Sequence, residues 1–206
     1  MSEVSGQRTE RRIVPLPGAQ VAMGLAGRLR LTRLLGRFDE RLVMTAFMLV
    51  NGFVTIAILA ILAMLTRTPF VFPSLGPTAF LFFFTPTLPT ASPRNTIYGH
   101  ALGIACGYGA LLACGLTHAP PVILAGVDFA RVLAAALSLS LTGALMILLK
   151  APHPPAGATT LIISLGIVTR PFYLLIIELA VALLTAQAYA INRLAGVDYP
   201  LWAKKG

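Results

Sequence analysis

The sequence predicts an all-α polytopic membrane protein with four full transmembrane helices, two proline-led half-helices and two repeated halves. Composition is the first observation behind this prediction: 57% of the residues are hydrophobic and 11% are charged, against roughly 45–50% and 25% in soluble globular proteins. The second observation is a set of four long apolar stretches. The third is a pair of short apolar runs, each introduced by proline and flanked by long stretches.

Four stretches are long enough to cross a hydrocarbon core of about 30 Å, which takes about 20 helical residues. Each is nearly free of charge. Glu178 in the last stretch is the exception, and Arg131 lies at an end from which its long side chain can reach the interface. We therefore expect four membrane spans, at residues 42–65, 96–114, 129–149 and 171–192.

Two shorter apolar runs follow the first and third spans, at residues 75–84 and 157–168. Runs of this length make roughly 15–18 Å of helix, about half the thickness of a bilayer. The proline before each run removes a backbone donor and prevents a continuous helix. Both runs therefore have the pattern of half-helices that begin inside the membrane.

The two half-helices begin with the same residues. "PSLGPT" at residues 73–78 and "PPAGAT" at 154–159 share the pattern P-x-x-G-x-T and lie 81 positions apart. The same order of long span, half-helix and long span surrounds both copies, which indicates an internal duplication.

The orientation of the two copies has two solutions. If each proline-led segment crosses the bilayer, the copies are inverted, and if each re-enters, they are parallel. Counting Lys and Arg does not separate them, since three basic residues lie outside in the inverted form and four in the re-entrant form. The inverted form is favoured because transporters often pair inverted repeats with broken helices.

Charge and hydropathy divide the chain into a basic N-terminal segment (1–41), a transmembrane domain (42–192) and a short tail (193–206). The net charge is +9, and eight of the sixteen basic residues lie in the first 41 positions. Lys and Arg concentrate on the cytoplasmic side of membranes, so both termini are expected in the cytoplasm, beneath the cell inner (plasma) membrane. The N-terminal segment is expected to include an amphipathic helix on that surface. Nucleic acid is not expected as a partner.

The proline-led breaks mark the candidate binding site. A helix that starts inside the membrane exposes backbone N–H groups and the positive end of its dipole, about half a charge. Two such ends facing each other near the midplane would attract a small anion. The candidate substrate-binding residues offer hydroxyl groups, an imidazole or a close backbone approach; they are Ser74, Gly76, Thr78, His153, Gly157, Thr159 and Thr160.

Three ionisable residues in the apolar region are candidates for proton coupling, namely His153, Glu178 and His100. For each, a buried structural hydrogen bond is the alternative. The sequence contains no H-E-x-x-H pairing, G-x-S-x-G turn or phosphate-binding loop. We therefore expect no enzyme activity, no metal site and no cofactor.

Glycine recurs every fourth residue in "GHALGIACG", at Gly99, Gly103 and Gly107. Small residues at this spacing form a helix face that allows close approach of another helix. The partner helix belongs either to the same subunit or to a second one, so a homo-oligomer is left open.

Several short motifs agree with one known family in order and spacing. "FPSLGPTAFLFF", "SPRNTIYGHALG" and "APHPPAGATTLI" together resemble the HPP family of integral membrane proteins, named for the triplet at residues 153–155. Some members are implicated in nitrite transport, so the resemblance implies an anion permease with nitrite as its first candidate substrate. The alternatives are a non-transporting membrane scaffold or sensor and, less favoured, an intramembrane metal-dependent enzyme.

Overall fold

The protein is described by a computed structural model over residues 30–203, so most of the basic segment expected at 1–41, and the last three residues of the tail, lie outside the described residues. Within this range the chain is helical and has no β-strand. The elements are α1 (Leu31–Leu35), α2 (Glu40–Thr66), α3 (Leu75–Phe84), a 3-10 turn (Pro89–Ala91), α4 (Pro93–Ala113), α5 (Val122–Ala125), α6 (Phe129–Leu148), α7 (Ala156–Ser164) and α8 (Pro171–Leu194).

Four helices, α2, α4, α6 and α8, are long and apolar enough to cross a membrane, which confirms the four predicted spans. Their starts follow from local chemistry. The carboxylates of Asp39 and Asp128 accept backbone hydrogen bonds from the first turns of α2 and α6. Helices α4 and α8 begin with Pro93 and Pro171. Proline is favourable there because the first N–H group of a helix has no partner within the helix, so its absence costs no hydrogen bond.

The two short helices, α3 and α7, follow the first and third spans as expected. Helix α7 ends at Ser164, four residues before the predicted end, because Gly166 reverses the chain with a φ of 81°. A break precedes each short helix. Just beyond α2 and α6, Arg67 and Lys150 adopt left-handed φ angles of 53° and 51°, so both long helices end in the same way before a proline-led segment.

One end of the bundle, here called the basic end, holds the starts of α2 and α4 and the ends of α6 and α8. The N–H of Leu31 donates to the carbonyl of Ala195, and the guanidinium of Arg94 donates to the carbonyl of Lys150 at 2.9 Å. Seven of the ten described Lys and Arg residues lie at this end; they are Arg30, Arg33, Arg37, Arg41, Arg94, Lys150 and Arg193.

The segment after α8 is tied to the basic end by a buried tyrosine. Tyr199 is 1% exposed, and its ring packs edge-on against Phe82 of α3. Burial raises the pKa of the Tyr199 phenol above its ordinary value, so the hydroxyl keeps the proton that it donates to the carbonyl of Ala91. The tail therefore fixes the 3-10 turn that precedes α4.

At the opposite end of the bundle, a buried arginine joins three segments. Arg131, 2% exposed, donates from its guanidinium to the carbonyls of Ala119 and Pro120 beyond α4 and of Ser164 at the end of α7. A Cβ atom on Gly166 would lie 2.6 Å from the same guanidinium, so glycine makes room for it. Arg131 thus turns inward, and the expectation that it reaches toward the interface is wrong, because carbonyls at the end of α7 need donors.

The two short helices run from the middle of the bundle in opposite directions. The side-chain amide of Asn192 donates to the carbonyl of Phe82 at 3.0 Å, which places the C-terminal end of α3 at the basic end. The end of α7 lies against Arg131 at the opposite end. The two N-terminal ends meet, with Oγ of Ser74 2.6 Å from Oγ1 of Thr159.

The helix contacts come in matching pairs. The contact between α2 and α3 corresponds to the contact between α6 and α7. The contact between α2 and α8 corresponds to that between α6 and α4. The contact between α3 and α8 corresponds to that between α7 and α4. Exchanging α2, α3 and α4 for α6, α7 and α8 therefore leaves the pattern of contacts unchanged.

We predict that Arg131→Gln lowers the free energy of unfolding by at least about 2 kcal/mol, because buried carbonyls lose a charged donor. The measurement is thermal unfolding in detergent, followed by circular dichroism. Arg170→Gln is the matched control, since Arg170 is exposed at the same end. Equal losses in the two variants would show that the buried guanidinium does not hold these segments together.

Candidate functional site

The candidate site is a chain of five side chains where α3 and α7 meet. Oγ of Ser74 lies 2.6 Å from Oγ1 of Thr159, which lies 2.7 Å from Nδ1 of His100. On the other side of that ring, Nε2 lies 3.0 Å from Oγ1 of Thr78, and the same hydroxyl lies 3.3 Å from Nε2 of His153. All five residues are fully buried. They are called the central chain below.

His153 is anchored at one end of the central chain by the backbone of Thr90. Nδ1 of His153 lies 2.8 Å from the Thr90 carbonyl, which only accepts hydrogen bonds, so Nδ1 carries a proton. The hydroxyl of Thr96, 3.4 Å from the same nitrogen, donates to the carbonyl of Ser92. In a neutral ring, Nε2 of His153 is therefore an acceptor that faces Thr78.

His100 bridges two threonines that occupy equivalent positions. Thr78 and Thr159 each end the P-x-x-G-x-T pattern, and each is the fourth residue of its short helix. One binds Nε2 of His100 and the other binds Nδ1. A single imidazole on α4 thus links the first turns of both short helices.

The backbone N–H groups at the two helix starts have local partners. The first two N–H groups of α3 and of α7 donate to carbonyls of the preceding turn at 3.0–3.3 Å. The sequence led us to expect these N–H groups to be unpaired, but in the structure they are paired. The donors that face each other between the helices are hydroxyl and imidazole groups, while the positive ends of the two helix dipoles still point toward the central chain.

Three glycines let α4 approach α7 closely. A Cβ atom on Gly99 would lie 2.6 Å from Cβ of His153, and one on Gly103 would lie 2.8 Å from the carbonyl oxygen of Ala156. A Cβ atom on Gly107 would lie 2.9 Å from the carbonyl oxygen of Thr160. The glycine face of α4 therefore packs within the subunit and brings His153 beside His100, with ring centroids 5.0 Å apart.

The two pattern glycines have different surroundings. No atom lies within 4 Å of a Cβ atom placed on Gly76, whereas the side chain of Leu139 on α6 lies 3.3 Å from one placed on Gly157. Gly76 borders a hollow of about 410 Å³ between α2 and α3, whose other lining residues are Ile56, Val71, Phe72 and Pro73. The first copy of the pattern is therefore open beside its glycine, and the second is closed.

The remaining predicted residues lie beside the central chain or outside its hydrogen bonds. Oγ1 of Thr160 lies 3.0 Å from Oγ1 of Thr142 on α6, next to the chain but not hydrogen-bonded to it. Both carboxylate oxygens of Glu178 are buried without a hydrogen-bond partner in the described part of the protein. Within residues 30–203, no three His, Cys, Asp or Glu side chains are placed to hold a metal ion.

Sequence reasoning missed three residues of the site. Thr96 lies one helical turn before His100. Its place in the site could have been predicted, because residues four apart lie on the same face of a helix. Thr142 lies opposite the short helix on another span, and Thr90 contributes only its carbonyl. No sequence pattern points to either of these two contacts.

A family model described as the HPP transmembrane region matches residues 39–200. The chain belongs to the HPP family. This HPP protein is 31% identical to two transmembrane proteins of Dictyostelium discoideum, over 134 and 147 residues, or 63% and 68% of its length. The aligned regions cover 44% of each of those relatives, so the HPP protein matches less than half of their length. No solved structure matches it.

We predict that Gly99→Ala destabilises the HPP protein by about 1–3 kcal/mol, because the added methyl group overlaps His153 and forces α4 and α7 apart. Gly76→Ala is the matched control; the methyl group enters open space, and alanine favours the helix by up to about 1 kcal/mol. Melting temperatures of both variants in detergent test this. A Gly99→Ala variant as stable as Gly76→Ala would contradict the close approach of α4 to His153.

We predict that Thr159→Val lowers the free energy of unfolding by about 1–3 kcal/mol, since Nδ1 of His100 and the hydroxyl of Ser74 lose their partner in a buried site. Valine keeps the shape of threonine, so packing changes little. Ser140→Ala, at an exposed serine that bonds only to its own helix, should leave stability within about 0.5 kcal/mol of the parent. Equal melting temperatures for the two variants would show that the central chain does not stabilise the fold.

Proposed function

We propose that this HPP protein transports a small inorganic anion, with nitrite first and related oxyanions next, and binds it where α3 and α7 meet. The observation that carries the proposal is the head-to-head meeting of two helix starts inside the apolar bundle. Each contributes about half a positive charge. No described carboxylate bonds to the central chain, so this charge is available to a small anion.

A continuous polar connection from Ser74 to His153 supports transport over a scaffold role. A scaffold needs no polar chain through its centre, whereas buried polar and ionisable groups inside a membrane protein often mark a substrate or proton pathway. The alternative, a non-transporting scaffold or sensor, has one feature in its favour. A groove of about 690 Å³ between α1, α2 and α8, lined mainly by apolar side chains, offers a surface for another apolar segment.

We also propose that the two halves are inverted repeats. Helix α2 begins at the basic end and α6 at the opposite end, and the short helices run in opposite directions from the centre. Each half then crosses the membrane three times, the second crossing being an extended break followed by a half-helix. The matching helix contacts support a pseudo-twofold axis in the membrane plane, an arrangement used for alternating access in transporters.

The basic end is proposed to face the cytoplasm of a cell inner membrane. Seven described cations lie there, and the other three, Arg67, Arg131 and Arg170, lie at the opposite end. This distribution follows the excess of Lys and Arg on cytoplasmic loops. Both termini are then cytoplasmic, since α2 begins and α8 ends at the basic end.

Proton coupling is proposed because of the membrane potential. An inside-negative potential of 100 mV opposes the entry of one negative charge by about 2.3 kcal/mol, and a co-transported proton cancels that charge. His153 is the preferred proton carrier because it belongs to the central chain and its imidazole can bind and release a proton. Glu178 is outside the hydrogen bonds of the chain and is the second choice.

The test is flux in proteoliposomes across a panel of small anions, with nitrite, nitrate, formate and chloride. We predict that His153→Gln folds and inserts but loses uptake driven by an inward proton gradient, while downhill nitrite flux is kept. His118→Gln is the matched control, because His118 is an exposed histidine outside the spans and should behave as the parent.

Two outcomes would count against these proposals. If the parent protein moves no anion of the panel, transport gives way to the scaffold role. If His153→Gln keeps the pH dependence of the parent, His153 has a structural role and another group carries the proton.

A further inference from the structure

Hydrogen bonding gives the neutral central chain a single direction. Since Nδ1 of His153 donates to the Thr90 carbonyl, its Nε2 is an acceptor. The Thr78 hydroxyl lies 3.3 Å from that nitrogen and 3.0 Å from the carbonyl of Ser74, and one of these two acceptors takes its single proton. A hydroxyl has one proton, so Thr78 then accepts from Nε2 of His100. Nδ1 of His100 is left as an acceptor for Thr159, and Thr159 in turn accepts from Ser74. Every donor in the chain has a partner.

We propose that one added proton reverses this chain and turns the hydroxyl of Ser74 into the hydrogen-bond donor that holds the transported anion. This inference rests on the proposed function and adds the residue that binds the anion and the means by which the proton controls it. Ser74 and Thr159 were expected to bind the anion as independent donors. The central chain instead makes their hydroxyl directions depend on the two imidazoles.

The reversal conserves atoms and charge. A hydronium ion gives a proton to Oγ of Ser74 and leaves as water, the original proton of Ser74 passes to Thr159, and the proton of Thr159 passes to Nδ1 of His100. His100 gives up its Nε2 proton to Thr78, and Thr78 gives its proton to Nε2 of His153. Each hydroxyl again holds one proton, His100 is neutral with its proton on the other nitrogen, and His153 carries the positive charge.

The reversed chain leaves Ser74 with a free donor. Its Oγ atom has Thr159 as its described hydrogen-bond partner, and in the reversed chain Thr159 donates to it. The Ser74 proton then has no acceptor in the described protein and is directed away from Thr159. Ser74 immediately precedes the first turn of α3, where the helix dipole favours an anion. It is fully buried, and Pro73 and Gly76, which lie close to it in the chain, line the open hollow.

A competing acceptor defines how the proposal can fail. The carbonyl of Ser74 lies 3.0 Å from Oγ1 of Thr78. If Thr78 turns to that carbonyl when His153 is protonated, His100 keeps its proton on Nε2 and the reversal stops before Ser74. The anion would then bind without any link to the tautomer of His100.

The two imidazoles are the titratable groups within the central chain. His100 and His153 face each other across 5.0 Å between ring centroids. On the elements packed around them, no hydrogen bond joins either ring to Cys106 of α4, Arg131 of α6, or Glu178 and Tyr189 of α8. One proton shared by the two imidazoles therefore accounts for the switch.

The first experiment reads the histidine tautomers directly. Nitrogen NMR of the full-length protein in lipid nanodiscs, labelled at histidine, is recorded from pH 8 down to the acidic pH at which His153 gains its second proton. His100 should carry its proton on Nε2 at pH 8 and on Nδ1 at that acidic pH. His100→Gln and His118→Gln assign the signals. A spectrum in which His153 becomes charged while His100 keeps its Nε2 proton overturns the proposal.

The second experiment measures nitrite binding to the same nanodiscs at both pH values. Ser74→Ala should weaken nitrite binding at least about tenfold at the acidic pH at which His153 is charged, as for loss of a hydrogen bond to a charged group, and should change it little at pH 8. Equal affinity of Ser74→Ala and the parent at that acidic pH overturns the proposal.

The two experiments separate this inference from the proposed function. If the parent transports nitrite with a proton but Ser74→Ala binds it normally, the transport proposal stands and the role of Ser74 falls. If His100 changes tautomer but no anion of the panel binds or is moved, the transport proposal falls, and with it the role given to Ser74.

Discussion

Two helices can begin head to head inside an apolar bundle only if the polar groups at their starts find partners, and in this HPP protein they bind one another. The bond between Ser74 and Thr159 joins the two starts, and His100 links both first turns through its two ring nitrogens. Without these partners, each buried hydroxyl or imidazole would cost free energy on the order of a lost hydrogen bond. The glycine face of α4 allows a close approach to α7, and this approach places His100 between the two short helices.

The ends of the short helices need partners as much as their starts do. The Ser164 carbonyl at the end of α7 accepts a hydrogen bond from Arg131, and the Phe82 carbonyl near the end of α3 accepts one from Asn192. The two solutions use different residues on different helices, although the helices themselves are related by the proposed duplication. The two half-helices therefore share a geometry but not the residues that bind their C-terminal ends.

Local pattern was enough to predict much of the architecture. The lengths of the apolar stretches gave four spans, and the prolines before residues 75 and 157 gave two short helices, because both signals depend only on neighbouring residues. The shared motif predicted that Ser74, Thr78 and Thr159 lie at two helix starts that face each other. Two contacts could not be predicted from the sequence: the inward turn of Arg131 and the anchoring of His153 by the Thr90 carbonyl. Each depends on a backbone carbonyl in a distant segment of the chain.

The bridging position of His100 has a consequence for the origin of this chain. A protein made of two identical inverted halves would carry the same residue at both equivalent positions and would place two imidazoles about its axis. Here α8, the counterpart of α4, contains no histidine. One ring serves both threonines, and a second would compete with it for the same two hydroxyls. Two halves that belong to one chain can differ at such a position, whereas two identical subunits cannot.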